Sequence, residues 1–572
     1  MLKIIPSAHK EHQPRHATGY RGEITMKQIF KFCGKYLNEK RGKLILYILI
    51  CIFSSMTTVV FPYISGSFID QLVQATDTSF LGRYIAIFVS FSIVGLVLGY
   101  VSNRLYMKLQ TQIAFRLNVD AIKHVQNLSP GFTQGQDTAY LNQRINNDSN
   151  ALIIFCIGVL QQIVINAVMV IAPLALIFSF NAYLGIALIV LNALYFLSYT
   201  AFKKTLFKAS YEYKEEQSKY FGKLNEQLFN VKFIQLHGVG SGFIKRLTGV
   251  FTSLLNKALR YQKTSYLFSS VDKIIMTVAN VLVFLFGGIS VINESLSVGY
   301  FAIISSYFSM MMSATRYFFT LGQSVQENTV SYNRLKDIFG VHEQSNGEEV
   351  PDGIDCIETR NLTFSYGNNC VLRDCSVMFK KGNIYALTGE NGSGKSTLIN
   401  VLVGLYMDEF WGEVLYNGIR ISGLDMRRVR NGFIGISEQE PMLLPDTLRY
   451  NITLDEQGEL DEEKFYKLCG CLGMEEFIDS LPNDLDTVIN EKSSNLSGGE
   501  KQKISLLRVL MKNPDVLILD EPTSALDRSS RKRLGEYLQS IRKEKIIIIS
   551  THDKAFIEIC DEEVSVTSLM HN

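Results

Sequence analysis

Six stretches of the chain are apolar and free of charge over about the length a bilayer demands: 44–69, 84–102, 151–180, 182–202, 274–292 and 296–315. A hydrocarbon core of roughly 30 Å takes about 20 helical residues, so the pattern predicts six membrane-spanning helices. Buried helices of soluble proteins rarely run so long without a charge, and six in series excludes that reading. The third and fourth stretches abut at "SFNAY", where Asn181 can supply a tight turn, which predicts a helical hairpin.

Between the second and third stretches, and again between the fourth and fifth, lie two long polar segments, about 103–150 and 203–270. They are rich in Lys, Gln, Glu, Leu and Tyr at helical spacing and poor in proline, so they read as continuations of the spans beyond the membrane. Each must turn back once. The first reversal is expected in "NLSPGFTQGQ" (127–136), at Pro130 and its neighbouring glycines, and the second near "EQLFNVKF" (226–233). The short connections 66–82, 179–181 and 293–295 hold no Lys or Arg, whereas basic residues crowd the opposite ends: Lys40, Arg41, Lys43, Arg104, Lys108, Lys203, Lys204, Lys208, Lys263, Lys273, Arg334 and Lys336. The basic side faces the cytoplasm, which puts both termini there in a multi-pass protein of the cell membrane.

After a polar linker, 341–353, the pattern switches to short apolar strands alternating with helices. The expected organisation is a disordered tail over 1–25, an all-α six-helix transmembrane domain over 26–340, and an α/β domain over 354–572. Residues 1–25 lack the apolar core of a signal peptide. His9, His12 and His16 fall in that tail, and Met26 is an alternative start. The net charge of +2 lacks the basic excess of a nucleic-acid binder. Nine cysteines show no metal-ligand spacing; Cys469 and Cys471 are too close together.

The chemistry lies in the α/β domain. "GENGSGKST" (389–397) sits between the strand "NIYALTG" and the apolar-striped helix "KSTLINVLVGLY". Glycines at Gly389, Gly392 and Gly394 let backbone N–H groups approach phosphate oxygens, and the helix N-terminus adds partial positive charge. Glu390, Asn391, Ser393 and Thr397 complete the loop, Lys395 can bridge terminal phosphates, and Ser396 can place its hydroxyl on Mg2+. This loop defines a P-loop NTPase but not which kind. "VLILDEP" (516–522) adds Asp520, suited to organising magnesium, and Glu521, placed to take a proton from attacking water. "LSGGEKQK" (496–503) offers Ser497, Gly498, Gly499 and Glu500 at a helix start, a second phosphate-recognising surface. One domain cannot easily wrap both surfaces around one nucleotide, so the second is expected to serve a partner's.

Taken together, the six spans and these motifs resemble an ABC transporter half-molecule of the exporter type, over nearly all of residues 26–572. The resemblance implies ATP and Mg2+ as ligands and an ATP hydrolase coupled to transport. It implies that Tyr366 of "FSYGNN" stacks on adenine and that Gln439 of "GISEQEPML" is the Q-loop glutamine touching magnesium or water. It implies that Asp527 of "SALD" is the D-loop aspartate at a dimer interface and that His552 of "IISTHD" is the switch histidine on the terminal phosphate. A head-to-tail homodimer is implied, with a heterodimer left open, and the cytoplasmic reversals become coupling helices. Two departures stand out: Glu500 replaces the commoner glutamine of the signature, and "NEKSSN" (490–495) lacks the usual glycine.

The cargo is written less clearly. Gln161, Gln162, Asn166, Asn192 and Asn280 can line a cavity or bond helix to helix. "SSYFSMMMSATRYFF" (305–319) offers methionines and aromatics beside Arg316, suited to an amphipathic peptide, lipid or drug and equally to packing. The expectation leans to export of a peptide or other amphipathic molecule. The alternatives are an importer on the same fold and an ATP-gated channel or sensor.

Overall fold

The computed structural model describes residues 25–75, 77–134, 141–180, 182–390, 392–455, 459–490, 496–524 and 526–569. The N-terminal tail with its histidines, Asn181, Asn391, the segment 491–495 and Ala525 lie outside them. The described chain divides into two compact units: one holds residues 25–123 together with 139–340, the other 124–138 together with 341 onward.

The first unit is helical. A lead-in helix α1 (Met26–Glu39) precedes α2 (Arg41–Gln74) and α3 (Ser79–Gln126). After a π-helical turn, Gln143–Asp148, come α5 (Ser149–Phe180), α6 (Ala182–Phe229), the short α7 (Val231–His237), α8 (Gly240–Ile292) and α9 (Val298–Phe339). All six apolar stretches fall on α2, α3, α5, α6, α8 and α9. Among the described residues four helices are long and apolar enough to cross a membrane: α2, α3, Arg144–Phe178 and α8. The stretch on α9 is diluted by the serines and Tyr307 of "SSYFSMMMS". In α3, Ile93, Leu96 and Val97 are exposed, the surface that lipid covers in a spanning helix.

Two clusters hold this unit. Near one end, Ile29, Cys33 and Leu37 of α1 bury against Leu109, Ile113 and Leu117 of α3 and Leu152, Ile153 and Cys156 of α5. The other joins Val59, Ile177, Ala279 and Val283 to Tyr307, Phe308, Met311 and Met312 of α9. These last four are nearly inaccessible, so packing accounts for the methionine–aromatic stretch at those positions. Asn166 is likewise turned inward, its Nδ2 on Gln162 O at 2.7 Å within its own helix.

The starts of α9 and the end of α2 are clasped. Asp70 Oδ2 accepts from Ser297 Oγ at 2.6 Å and Oδ1 from Gly299 N at 2.6 Å, which sets a carboxylate on the positive end of α9. Here the backbones touch: a Cβ on Gly299 would fall 2.0 Å from Gly66 O. Beyond the spans, α6 and α8 run antiparallel, with Glu212 on Lys257 at 2.8 Å, Glu216 accepting from Ser253 at 3.0 Å, and Tyr213 stacked on Tyr261. The polar loop is therefore helical, as its spacing predicts. Its reversal extends past 233, through α7 to Gly238 at φ 63°.

In the second unit, α4 (Pro130–Gln134) carries the first reversal. An antiparallel sheet of order β2-β1-β4-β5 is formed by Cys356–Tyr366 (β1), Asn369–Lys380 (β2), Phe410–Tyr416 (β4) and Ile419–Arg420 (β5). A parallel sheet of order β6-β7-β8-β3-β9 is formed by Ile384–Thr388 (β3), Ile434–Ser437 (β6), Val516–Asp520 (β7), Ile546–Ser550 (β8) and Glu562–Ser565 (β9). The strands β3, β7 and β8 are near-continuous runs of buried apolar residues, as parallel strands covered on both faces should be. One core packs α10 (Lys395–Leu402) and α11 (Met426–Phe433) on the sheets. The other gathers α12 (Leu448–Thr453), α13 (Glu462–Leu472), α14 (Glu475–Asp479), α15 (Gly498–Lys512) and α16 (Arg528–Ile541). The chain closes through α17 (Lys554–Ile557) and α18 (Val566–Leu569).

Candidate nucleotide site

Parallel strands deliver their carboxyl ends to one edge, and there ligands of open α/β sheets bind. The register Ser437↔Leu519, Asp520↔Ser550 and Leu387↔Ser550 sets the exits of β6, β7, β8 and β3 side by side. Gln439, Asp520 with Glu521, His552 and the loop from Gly389 all leave from this edge, from four separate parts of the sequence.

The loop wraps tightly onto α10. Gly394 stands at φ 94°, and a Cβ there would meet Val371 Cγ1 and Leu372 Cδ2 at 3.0 Å. Only glycine fits both the turn and this approach. Lys395 Nζ donates to Gly389 O at 2.6 Å and Glu390 O at 3.2 Å, and lies 3.2 Å from His552 Nε2. Among the described residues Ser393 Oγ is buried without a hydrogen-bond partner, a hydroxyl available to a phosphate oxygen. Thr397 is buried beneath the first turn of α10. Tyr366 ends β1, where the β1–β2 hairpin comes beside Gly394; it meets Phe364 edge-on at 4.8 Å and is 41% exposed, leaving a face to stack.

Ser396 Oγ donates to Asp520 Oδ2 at 3.1 Å. These are hard oxygen donors, few in number, which fits Mg2+ held by one carboxylate, one hydroxyl and substrate phosphates. Glu521 Oε1 lies 3.7 Å from His552 Nε2. Burial pushes the Glu521 carboxyl above its ordinary range, and the neighbouring charge of Asp520 adds to this against the opposing His552 and Lys395. Gln439 is exposed on the loop after β6, which Arg508 braces through Met442 O at 3.3 Å and Asn451 O at 2.6 Å.

The signature residues form a capping box on α15: Ser497 Oγ accepts from Glu500 N at 3.2 Å, and Glu500 Oε2 accepts from Ser497 N at 2.6 Å. The departure to glutamate therefore keeps the cap, which takes Glu or Gln alike. Among the described residues no hydrogen bond or ion pair joins 497–500 to the loop 389–397. Asp527 caps α16, accepting from Ser530 N at 2.8 Å and Ser529 Oγ at 2.6 Å. Those bonds from the Ser529 hydroxyl and the Ser530 amide hold its carboxyl far below the usual range.

One participant escaped sequence reasoning. Gln502, buried in α15, donates to Glu521 O at 2.7 Å and accepts from Ser524 Oγ at 2.7 Å. The signature helix is thereby tied to the backbone of Glu521 in its own chain. Its two-position offset from Glu500 on a helix gave no sign of an inward aim.

Two family models match the chain: ABC transporter transmembrane region over residues 44–315, and ABC transporter over 372–524. The chain belongs to the ABC transporters, as an ATP-hydrolysing half-transporter of the exporter type with both parts on one polypeptide. It is 26% identical over 540 residues to an ATP-dependent lipid A-core flippase of Haemophilus influenzae, covering 94% of this chain and 92% of that one. It is 26% identical over 553 residues to a putative multidrug export ATP-binding/permease protein of Bacillus subtilis, covering 94% of each. A bacterial Atm1-family ABC exporter solved with ATP bound shares the fold, with a TM-score of 0.77 at 18% identity over 92% of this chain and 93% of that one.

Proposed function

We propose that the chain is one half of a homodimer in the cell membrane, both termini cytoplasmic, that clamps two Mg-ATP across its seam and exports an amphipathic lipid or drug-like molecule. The convergence of Lys395, Asp520, Glu521 and His552 at one sheet edge carries this reading. Lys395 and the amides at the start of α10 hold the phosphates. Ser396 and Asp520 hold Mg2+, with Gln439 beside them; the ion neutralises phosphate charge. Glu521 takes the proton of the attacking water, and His552 contacts the terminal phosphate. Tyr366 stacks on adenine.

Dimerisation is supported by two observations. Ser497, Gly498, Gly499 and Glu500 stand apart from their own phosphate loop, ready for a partner's nucleotide, with Asp527 at the same seam. On the second reversal, Leu228, Phe229, Val231, Phe233 and Leu236 are exposed, Phe229 to 90%. A row of large apolar side chains on a cytoplasmic turn needs cover, and a second copy supplies it. The relatives' activities, lipid A-core flipping and multidrug export, favour a lipid or a drug over a peptide, and they do not favour import or channel gating.

Glu521→Gln should leave ATP binding intact and lower kcat by about 10²–10⁴, the range for a lost general base. Turnover near wild type in the purified variant would remove Glu521 from that role.

A further inference from the structure

Residues 343–349 read as a linker, yet they are strapped down. Gln344 donates from its side chain to Leu405 O, Ser345 N to Asp408 Oδ2 at 2.8 Å, and Asn346 to Asp425 Oδ1 at 2.9 Å. Gly347 N donates to Leu424 O at 2.9 Å, Glu349 N to Gly423 O at 3.2 Å, and Asp425 N returns to Glu349 O at 2.7 Å. Such a ladder makes this stretch part of the nucleotide-binding unit rather than a tether.

The same stretch grips the end of α3. Glu343 Oε1 pairs with His124 Nδ1 at 2.8 Å, and Oε2 accepts from Asn127 Nδ2 at 2.7 Å. Gln344 N donates to Asn127 O at 2.9 Å. Close by, Ser129 donates to Glu409 at the start of α4. His124 is mostly covered, its side chain 12% exposed. Burial raises the Glu343 carboxyl, but the bonds from His124 and Asn127, with the charge of Arg427, more than reverse this, so it stays ionised and accepts on both oxygens.

Chain continuity gives these bonds their mechanical meaning. Helix α3 runs unbroken from the second apolar stretch to Gln126, and α9 runs from the sixth to Phe339, four residues before Glu343. We propose that Glu343 is a transmission residue, its carboxylate tying the end of α3 to the strap that leaves α9, so that the nucleotide unit moves the second and sixth spans as a pair. The proposal rests on the exporter reading above and adds to it a specific junction.

The test uses full-length protein in lipid nanodiscs and compares hydrogen–deuterium exchange at 66–82 and 293–297 with and without Mg-ATP and orthovanadate. These connections precede the second and sixth spans on the far side of the membrane. In Glu343→Gln and Glu343→Ala, binding of a fluorescent ATP analogue should stay within about twofold of wild type while the nucleotide-driven change in exchange shrinks about fivefold or more. The charge swap His124→Glu with Glu343→His should restore it, and Glu348→Gln, an exposed neighbour outside the clasp, should match wild type. Rescue by the swap would assign the effect to the pairing of these two side chains, and the retained nucleotide binding separates it from a loss of the nucleotide unit's fold. If Glu343→Ala keeps the full exchange change at both connections, the junction is not the transmitter. If wild type itself shows no nucleotide-driven change, the exporter reading fails instead.

Discussion

Glu521 occupies the left-handed region, φ 50°, directly after β7. A non-glycine residue there costs on the order of 1–3 kcal/mol, and the bonds from its amide to Ser550 O at 2.9 Å and from Gln502 to its carbonyl hold it in place. Burial first, then Asp520, raises its carboxyl. A general base acts only when ionised. Hydrolysis should therefore fall on acidification at a higher pH than an ordinary glutamate would impose, and the pH–kcat profile should lose that limb in Glu521→Gln. A limb unchanged by the substitution would assign it to another group. At Ser497 the cap sets the scale: Ser497→Ala should cost about 1 kcal/mol, read from the denaturant midpoint. Glu500→Gln should leave that midpoint unchanged, because glutamine closes the same box; a loss as large as that of Ser497→Ala would refute the capping account.

At the scale of elements, the spans and the phosphate loop were legible because each is a contiguous pattern. The convergence of the four loops was not, since it depends on the strand order β6-β7-β8-β3. Nor was the Asp70 clasp, which joins α2 to α9 across most of the helical unit and leaves no local spacing. Its carboxylate accepts two bonds, so Asp70→Ala should destabilise the protein by about 2–3 kcal/mol, seen as a lower Tm in detergent. An unaltered Tm would mean that water replaces the clasp at no cost. The methionine stretch of α9 shows the opposite limit. Its composition suits cargo and core alike, and only burial of Tyr307, Phe308, Met311 and Met312 decides between them. Residues 341–353 misled for a related reason: Gly, Asn and Pro signal a linker, while the bonds that fasten the stretch run mainly from its backbone to distant turns.

For the whole molecule, everything turns on where the signature meets nucleotide. Each chain builds one phosphate loop and, elsewhere, one capped helix start whose Ser497, among the described residues, makes no bond to that loop. The exposed apolar turn at Phe229 and Phe233 belongs to the same incompleteness, and Phe229→Glu with Phe233→Glu should yield monomers by light scattering. The most direct measurement is disulfide cross-linking between Ser393→Cys and Gly498→Cys in membrane-embedded Glu521→Gln protein. The account expects a covalent dimer that forms with Mg-ATP and not without it. A chain that stays single while holding Mg-ATP, or that cross-links only within itself, would contradict it.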